Sequence, residues 1–80
     1  MKNDLNPLEY LHNIDKNTFD SQLLKVIRIK LNFSQEGFAR AIDVSFGTYS
    51  GWERGKQVPS YQGLKKLRNF AEGQLEQQAV

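Results

Sequence analysis

Few side chains in this sequence could make or break bonds. His12 is the only histidine and cysteine is absent. That leaves no thiolate nucleophile, no disulfide and no basis for a His- or Cys-ligated metal site. Glu53 in isolation suggests acid–base chemistry, but no nucleophile, metal set or partner carboxylate accompanies it, so an ion-pair role fits it better. No catalytic residue and no cofactor are assigned. The chemistry concentrated in "SFGTYSGWERGK", residues 45–56, is hydrogen bonding and charge. Ser45, Thr48 and Ser50 offer hydroxyls, Phe46 an apolar ring, and Arg54 and Lys56 cationic heads. Gly47 and Gly51, in the middle of this stretch, offer no side chain at all.

The elements that must position these groups are short helices. At 80 residues with a formal net charge of +2, the chain fits one small domain with a thin core. Residues 1–19 hold Lys2 and Lys16 against Asp4, Glu9 and Asp15. The remainder then holds nine basic against six acidic residues, a local net of +3, which permits a basic face toward nucleic acid. No apolar run approaches membrane length and "MKNDLNPLEY" lacks a signal peptide's apolar stretch, so the expected location is the cytoplasm, without membrane association.

Caps and periodicity divide the chain. Asn6, Pro7 and Glu9 predict a short leading helix in "NPLEYLHNI" with Leu8, Leu11 and Tyr10 as its apolar stripe. Asp20 caps "SQLLKVIRIKL", where Leu24, Ile27 and Leu31 recur at helical spacing beside Leu23, and Phe19 and Leu24 are placed as a hydrophobic staple. Ser34 caps "QEGFARAI", with Phe38, Ala39 and Ile42 inward. Ser45 caps "FGTYSGWE", whose Tyr49 and Trp52 belong to the core. Ser60 caps "YQGLKKLRNFAE", with Leu64, Leu67 and Phe70 or Ala71 inward, and Gly73 is expected to end or bend that helix. Lys65, Lys66 and Arg68 read as a solvated face. No strand alternation, repeat or low-complexity tract is present, so the fold class is all-α.

The helices at 34–42 and 45–53 are separated by about three residues. Ala39 is small enough for a steep crossing, Asp43 suits a left-handed turn, and Val44 fills the angle. "FSQEGFARAIDVSFGTYSGWERGKQVPS", with "IRIKL" before it and "LKKL" after it, resembles the phage-repressor and Cro-type (XRE-like) helix-turn-helix DNA-binding family over about residues 22–71. The resemblance implies a compact bundle of about five helices, here with a short extra N-terminal helix. The expected organisation is an N-terminal extension at 1–19, the helix-turn-helix domain at 20–73 and a polar, fraying tail at 74–80.

The same resemblance implies double-stranded DNA as partner, with helix 45–53 in the major groove. It places Ser45, Phe46, Gly47, Ser50 and Gly51 toward bases and Ser34, Gln35, Thr48, Arg54 and Lys56 toward phosphates. It makes Arg28 and Glu53 a structural ion pair between helices. It also implies a transcription regulator, a repressor, that pairs as a homodimer on half-sites about 34–36 Å apart. Small members of the fold also serve as antitoxins, so the alternative is a module that binds a protein partner through the N-terminal extension.

The departure from the family lies at the reading positions. No Arg, Lys, Asn or Gln occupies 45–51, yet those are the types that form forked hydrogen bonds with bases. Three explanations stand side by side. Phe46 and the serines bias binding toward thymine-rich steps while phosphates and DNA shape supply the rest. Or the glycines let the helix sink deeper into the groove. Or the face is degenerate and binds protein. A further pattern sets Gly37, Gly47 and Gly63 two or three residues after a capping serine, which suggests a phosphate clamp of first-turn amides.

Overall fold

The computed structural model describes residues 6–78. Its five helices are α1 (Pro7–His12), α2 (Ser21–Lys30), α3 (Gln35–Ile42), α4 (Phe46–Glu53) and α5 (Tyr61–Gln78), and no strand occurs among the described residues. Residues 1–5 and 79–80, including Lys2, Asp4 and the end of the expected tail, lie outside the described residues.

Every helix begins where a short polar side chain takes up a free first-turn amide. Asn6 Oδ1 accepts from the amides of Leu8 and Glu9 at 3.1 and 3.2 Å. Asp20 Oδ1 accepts from Leu23 at 2.9 Å. Ser34, Ser45 and Ser60 accept through Oγ from Gly37, Thr48 and Gly63 at 2.9, 3.2 and 3.3 Å. Three helices end on a left-handed residue that folds the chain back on itself. Asn32 (φ 67°) does this after α2, Asp43 (φ 67°) after α3 and Gly55 (φ 75°) after α4. At α3 the Val44 amide reaches back to the Ala39 carbonyl at 2.9 Å. Lys66 of α5 donates to the Asp43 carbonyl at 2.7 Å, which ties the turn between α3 and α4 to the last helix.

The core draws on every helix. Leu24 and Ile27 from α2, Phe38, Ala39 and Ile42 from α3, Tyr49 and Trp52 from α4, and Leu64, Leu67 and Ala71 from α5 are all buried. Phe33, Phe38, Tyr49, Trp52 and Phe70 meet ring against ring at centroid separations of 5.2–5.9 Å, mostly edge-on, the favoured geometry for aromatic pairs. Ala39 is buried against α4, where its single methyl allows a close crossing.

Two features go beyond the expectations. First, the leading segment, expected as an extension with a short helix, packs into the domain. Leu8, Leu11 and Ile14 are buried in the same core, and α1 packs against α5 and α2. Arg68 donates to the Ile14 carbonyl at 2.8 Å and the Tyr10 hydroxyl to the Thr18 carbonyl at 2.7 Å. Asp15 Oδ1 takes the Asn17 and Thr18 amides at 2.8 and 3.0 Å, bonds that hold its carboxyl below the usual range. Lys66 and Arg68 therefore do more than solvate a face. Second, of the end or bend expected at Gly73, the end does not occur. Helix α5 continues to Gln78, because Leu75, packed against the core, anchors the turn that an internal glycine weakens by only about 1 kcal/mol.

Candidate nucleic-acid interface

With about 100° between successive residues, Tyr49, Trp52 and Glu53 share the inner side of α4 and Gly47 and Gly51 lie opposite them. Ser50 flanks this outer crest. Phe46 stands at its leading edge, 51% exposed despite its size. Ser45 is exposed as well, but its Oγ accepts from the Thr48 amide and donates to Thr48 Oγ1 at 2.9 Å. The open part of the crest is Gly47, where an added Cβ would meet nothing within 4 Å.

Gly51 is on the same crest but is buried. A Cβ there would come within 2.5 Å of Gln57 Nε2. The side chain of Gln57, exposed on its outer side, lies over it. Arg54 and Lys56 leave the end of the helix exposed. Gly55 lets them do so: its positive φ closes α4, with the Lys56 amide on the Gly51 carbonyl at 2.9 Å.

Beneath the crest, Glu53 fixes how α4 sits on the bundle. Its Oε2 accepts from Arg28 Nε at 2.6 Å and from the Tyr49 hydroxyl. Its Oε1 accepts from Gln35 Nε2 at 2.8 Å and Arg28 Nη2 at 3.2 Å. Arg28 Nη1 donates in turn to the Phe33 carbonyl at 2.8 Å. One carboxylate thus joins α2, α3 and α4, and no buried side-chain polar atom among the described residues lacks a partner. Burial alone would raise the Glu53 pKa, but the bonds from Arg28, Tyr49 and Gln35 outweigh it and hold the carboxyl below its ordinary value. The Tyr49 phenol is pushed well above its ordinary value by burial and by its bond to Glu53. The bond to Glu53 likewise raises Arg28. A carboxylate so fully occupied by donors is a structural anion.

The structure therefore sorts the residues expected at the site. Phe46, Gly47 and the flank of Ser50 form an accessible crest, while Gly51 is closed over by Gln57. Ser34, Thr48, Arg54 and Lys56 are wholly or partly exposed. Gln35, expected on a phosphate, directs its amide nitrogen inward to Glu53 and is half-buried. The clamp of three glycine amides does not form as expected. The Gly37 and Gly63 amides are taken by their capping serines. Gly63 is buried, with the position of a Cβ only 2.7 Å from the Trp52 ring and 3.3 Å from Pro59, so its missing side chain serves packing.

Gln57 is the residue that sequence reasoning missed. Its signal was Gly55, four residues after Gly51: a glycine closing α4 sends the chain back along the helix it has just left. No group of three or more His, Cys, Asp or Glu able to hold a metal ion occurs among the described residues, and no described helix is long and apolar enough to cross a membrane. A helix-turn-helix family model matches residues 24–72, from the middle of α2 into α5. No curated protein and no solved structure matches the chain.

Proposed function

The chain belongs to the helix-turn-helix family of the phage-repressor and Cro type, and on that premise we propose that it is a small transcription regulator that occupies an operator with α4 in the major groove. DNA binding is the property the family supports. The observation that carries the finer reading is the outer crest of α4: Phe46 and Gly47 project from a helix locked to the bundle by Glu53, with the cations Arg54 and Lys56 beside them. A rigid helix with a low crest can approach base edges closely, while Ser34, Thr48, Arg54 and Lys56 meet the phosphates that hold it there.

A protein-binding role through the leading segment has less to draw on. The apolar side chains of that segment, Leu8, Leu11 and Ile14, are occupied in the domain's own core. Repression follows from occupancy of an operator, in the cytoplasm, by a pair of chains on two half-sites.

The test is a fluorescence-anisotropy titration of labelled duplex DNA between about 50 and 200 mM salt, with sequences drawn from selection on a random pool. The expected result is binding whose log affinity falls linearly with log salt. Lys56→Ala should weaken binding alike on all sequences and reduce the slope by about 1. Absence of binding to any duplex at about 50 mM salt would overturn the reading. An enriched inverted repeat would support the paired arrangement, and a single unrepeated site would refute it.

A further inference from the structure

The puzzle of α4 is that a reading helix lacks any side chain able to form two hydrogen bonds with one base. The fold brings one in from outside the helix. After Gly55 the chain reverses, and the amides of Lys56 and Gln57 both point to the Gly51 carbonyl, at 2.9 and 3.4 Å. This carries Gln57 back beside the last turn of α4. Its side chain occupies the volume a side chain at Gly51 would need: a Cβ there would be 2.5 Å from Nε2, 3.0 Å from Cγ and 3.1 Å from Cδ of Gln57. Gly51 lies on the outer crest with Gly47, one helical turn away. The Gln57 amide is therefore delivered to the crest, in the place from which a residue of α4 would otherwise read.

Two further observations separate this from casual contact. Gln57 remains exposed while it covers Gly51, so its outer edge is accessible. Its amide group makes no hydrogen bond to any described residue, whereas the other long amide near this helix, that of Gln35, is bound to Glu53. The amide presents one donor and one acceptor, the pattern that adenine complements in the major groove through N7 and the N6 amino group.

Resting on the DNA-binding reading above, we propose that Gln57 is a specificity-determining residue that reads an adenine, and that Gly51 is its seat. The glycine at 51 is thus not an empty reading position. It is the gap that lets a loop residue read in its stead.

The experiment is a comparison of wild type, Gln57→Ala and Gly51→Ala on the selected duplex, on duplexes with each base pair changed in turn, and on one with 7-deazaadenine at each adenine. Wild type should discriminate at one A·T pair by about 10- to 100-fold, and 7-deazaadenine there should cost it about 10-fold by removing the N7 acceptor. Gln57→Ala should bind the selected duplex as weakly as wild type binds the duplex changed at that pair, and should respond no further to the change. Gly51→Ala should show the same loss with its helical circular dichroism intact, because its methyl displaces only the end of a flexible side chain. Wild-type discrimination retained at every pair by Gln57→Ala would overturn the assignment. So would a loss spread evenly over all sequences, which marks a phosphate contact. If Gly51→Ala keeps full discrimination, the seat is refuted even where Gln57→Ala loses it. Wild type that binds no duplex at about 50 mM salt would overturn the DNA-binding reading, and this one with it.

Discussion

Replacing Glu53 by Gln removes one charge and almost no volume, which makes it the sharpest probe of how α4 is held. The Glu53 side chain is 2% exposed and that of Arg28 11%. All four groups around the carboxylate are donors: Arg28 Nε, Arg28 Nη2, Gln35 Nε2 and the Tyr49 hydroxyl. A glutamine amide has one acceptor oxygen, so its NH₂ must face donors on the other side. Arg28 then stays buried without a counter-charge, and losing one half of such a pair costs roughly 3–5 kcal/mol. Set against roughly 4–12 kcal/mol for a whole domain of this size, that is a quarter of the stability or more. At about 4–8 °C per kcal/mol, the melting temperature should fall by some 12–40 °C. Trp52, the only tryptophan and 3% exposed, packs edge-on to Tyr49 and reports urea unfolding by its fluorescence. The sign with pH follows from the lowered Glu53 carboxyl. Its contribution is complete above the unfolded carboxyl value of about 4.3 and disappears as pH falls through the lower folded value. The gap between wild type and Glu53→Gln should therefore narrow on acidification below about pH 4. A gap under about 1 kcal/mol at neutral pH would equate the pair with a surface ion pair and refute its role in fixing α4. A gap that stays constant into acid would refute the assignment of the stabilisation to the ionised carboxylate.

The remaining expectations concern packing. Gly73→Ala should stabilise by about 1 kcal/mol in urea unfolding, since it lies inside α5 with open space at its Cβ position; a loss would mean that α5 is not continuous there. Gly63→Ala, the same change ten residues earlier in α5, should destabilise by about 1–3 kcal/mol because the methyl meets the Trp52 ring at 2.7 Å, with an altered Trp52 emission as the second readout. Leu11→Ala should cost about 2–5 kcal/mol, as Leu11 is fully buried; a cost below about 1 kcal/mol would refute the part of α1 in the core.

What could be read in the sequence was what is settled within one turn of chain. The five caps were legible because the capping side chain and the amide it accepts lie two or three residues apart. The left-handed Asp43 was legible because few residues tolerate that backbone. The Arg28–Glu53 pairing spans 25 positions and entered only through family resemblance. The glycines show where local reasoning ends. Gly37, Gly47 and Gly63 follow their serines at nearly the same spacing, yet Gly47 faces open space and Gly63 meets Trp52. Gly47 is the second residue after its serine and Gly63 the third, about 100° apart round a helix, and what each meets is then decided by which side of its helix the rest of the bundle covers. Ile14 was overlooked for a similar reason. It lies past the end of α1, in chain that has already left the helix, and Arg68 of α5 holds its carbonyl at 2.8 Å.

On the proposed DNA-binding reading, the same geometry sets the length of sequence that α4 would cover. Phe46 and Gly51 are five residues apart, about 7.5 Å along the axis of α4 at 1.5 Å per residue. Bases on one strand are about 3.4 Å apart, so the two proposed side-chain readers, Phe46 at the start of α4 and Gln57 seated at Gly51, would span about two base steps. Between them stands Gly47, which reads nothing with a side chain, and Ser50, whose single hydroxyl is ambiguous between bases. Each selected half-site should therefore carry two informative positions about two base pairs apart. One should favour thymine, whose methyl suits the Phe46 ring, and the other adenine, through the Gln57 amide. Uracil in place of the thymine should weaken wild type and leave Phe46→Ala indifferent, while 7-deazaadenine should act only through Gln57. A half-site with a continuous block of four or more strongly selected pairs would refute this division. It would require donors and acceptors on the crest of α4 that Gly47 and Gly51 do not possess.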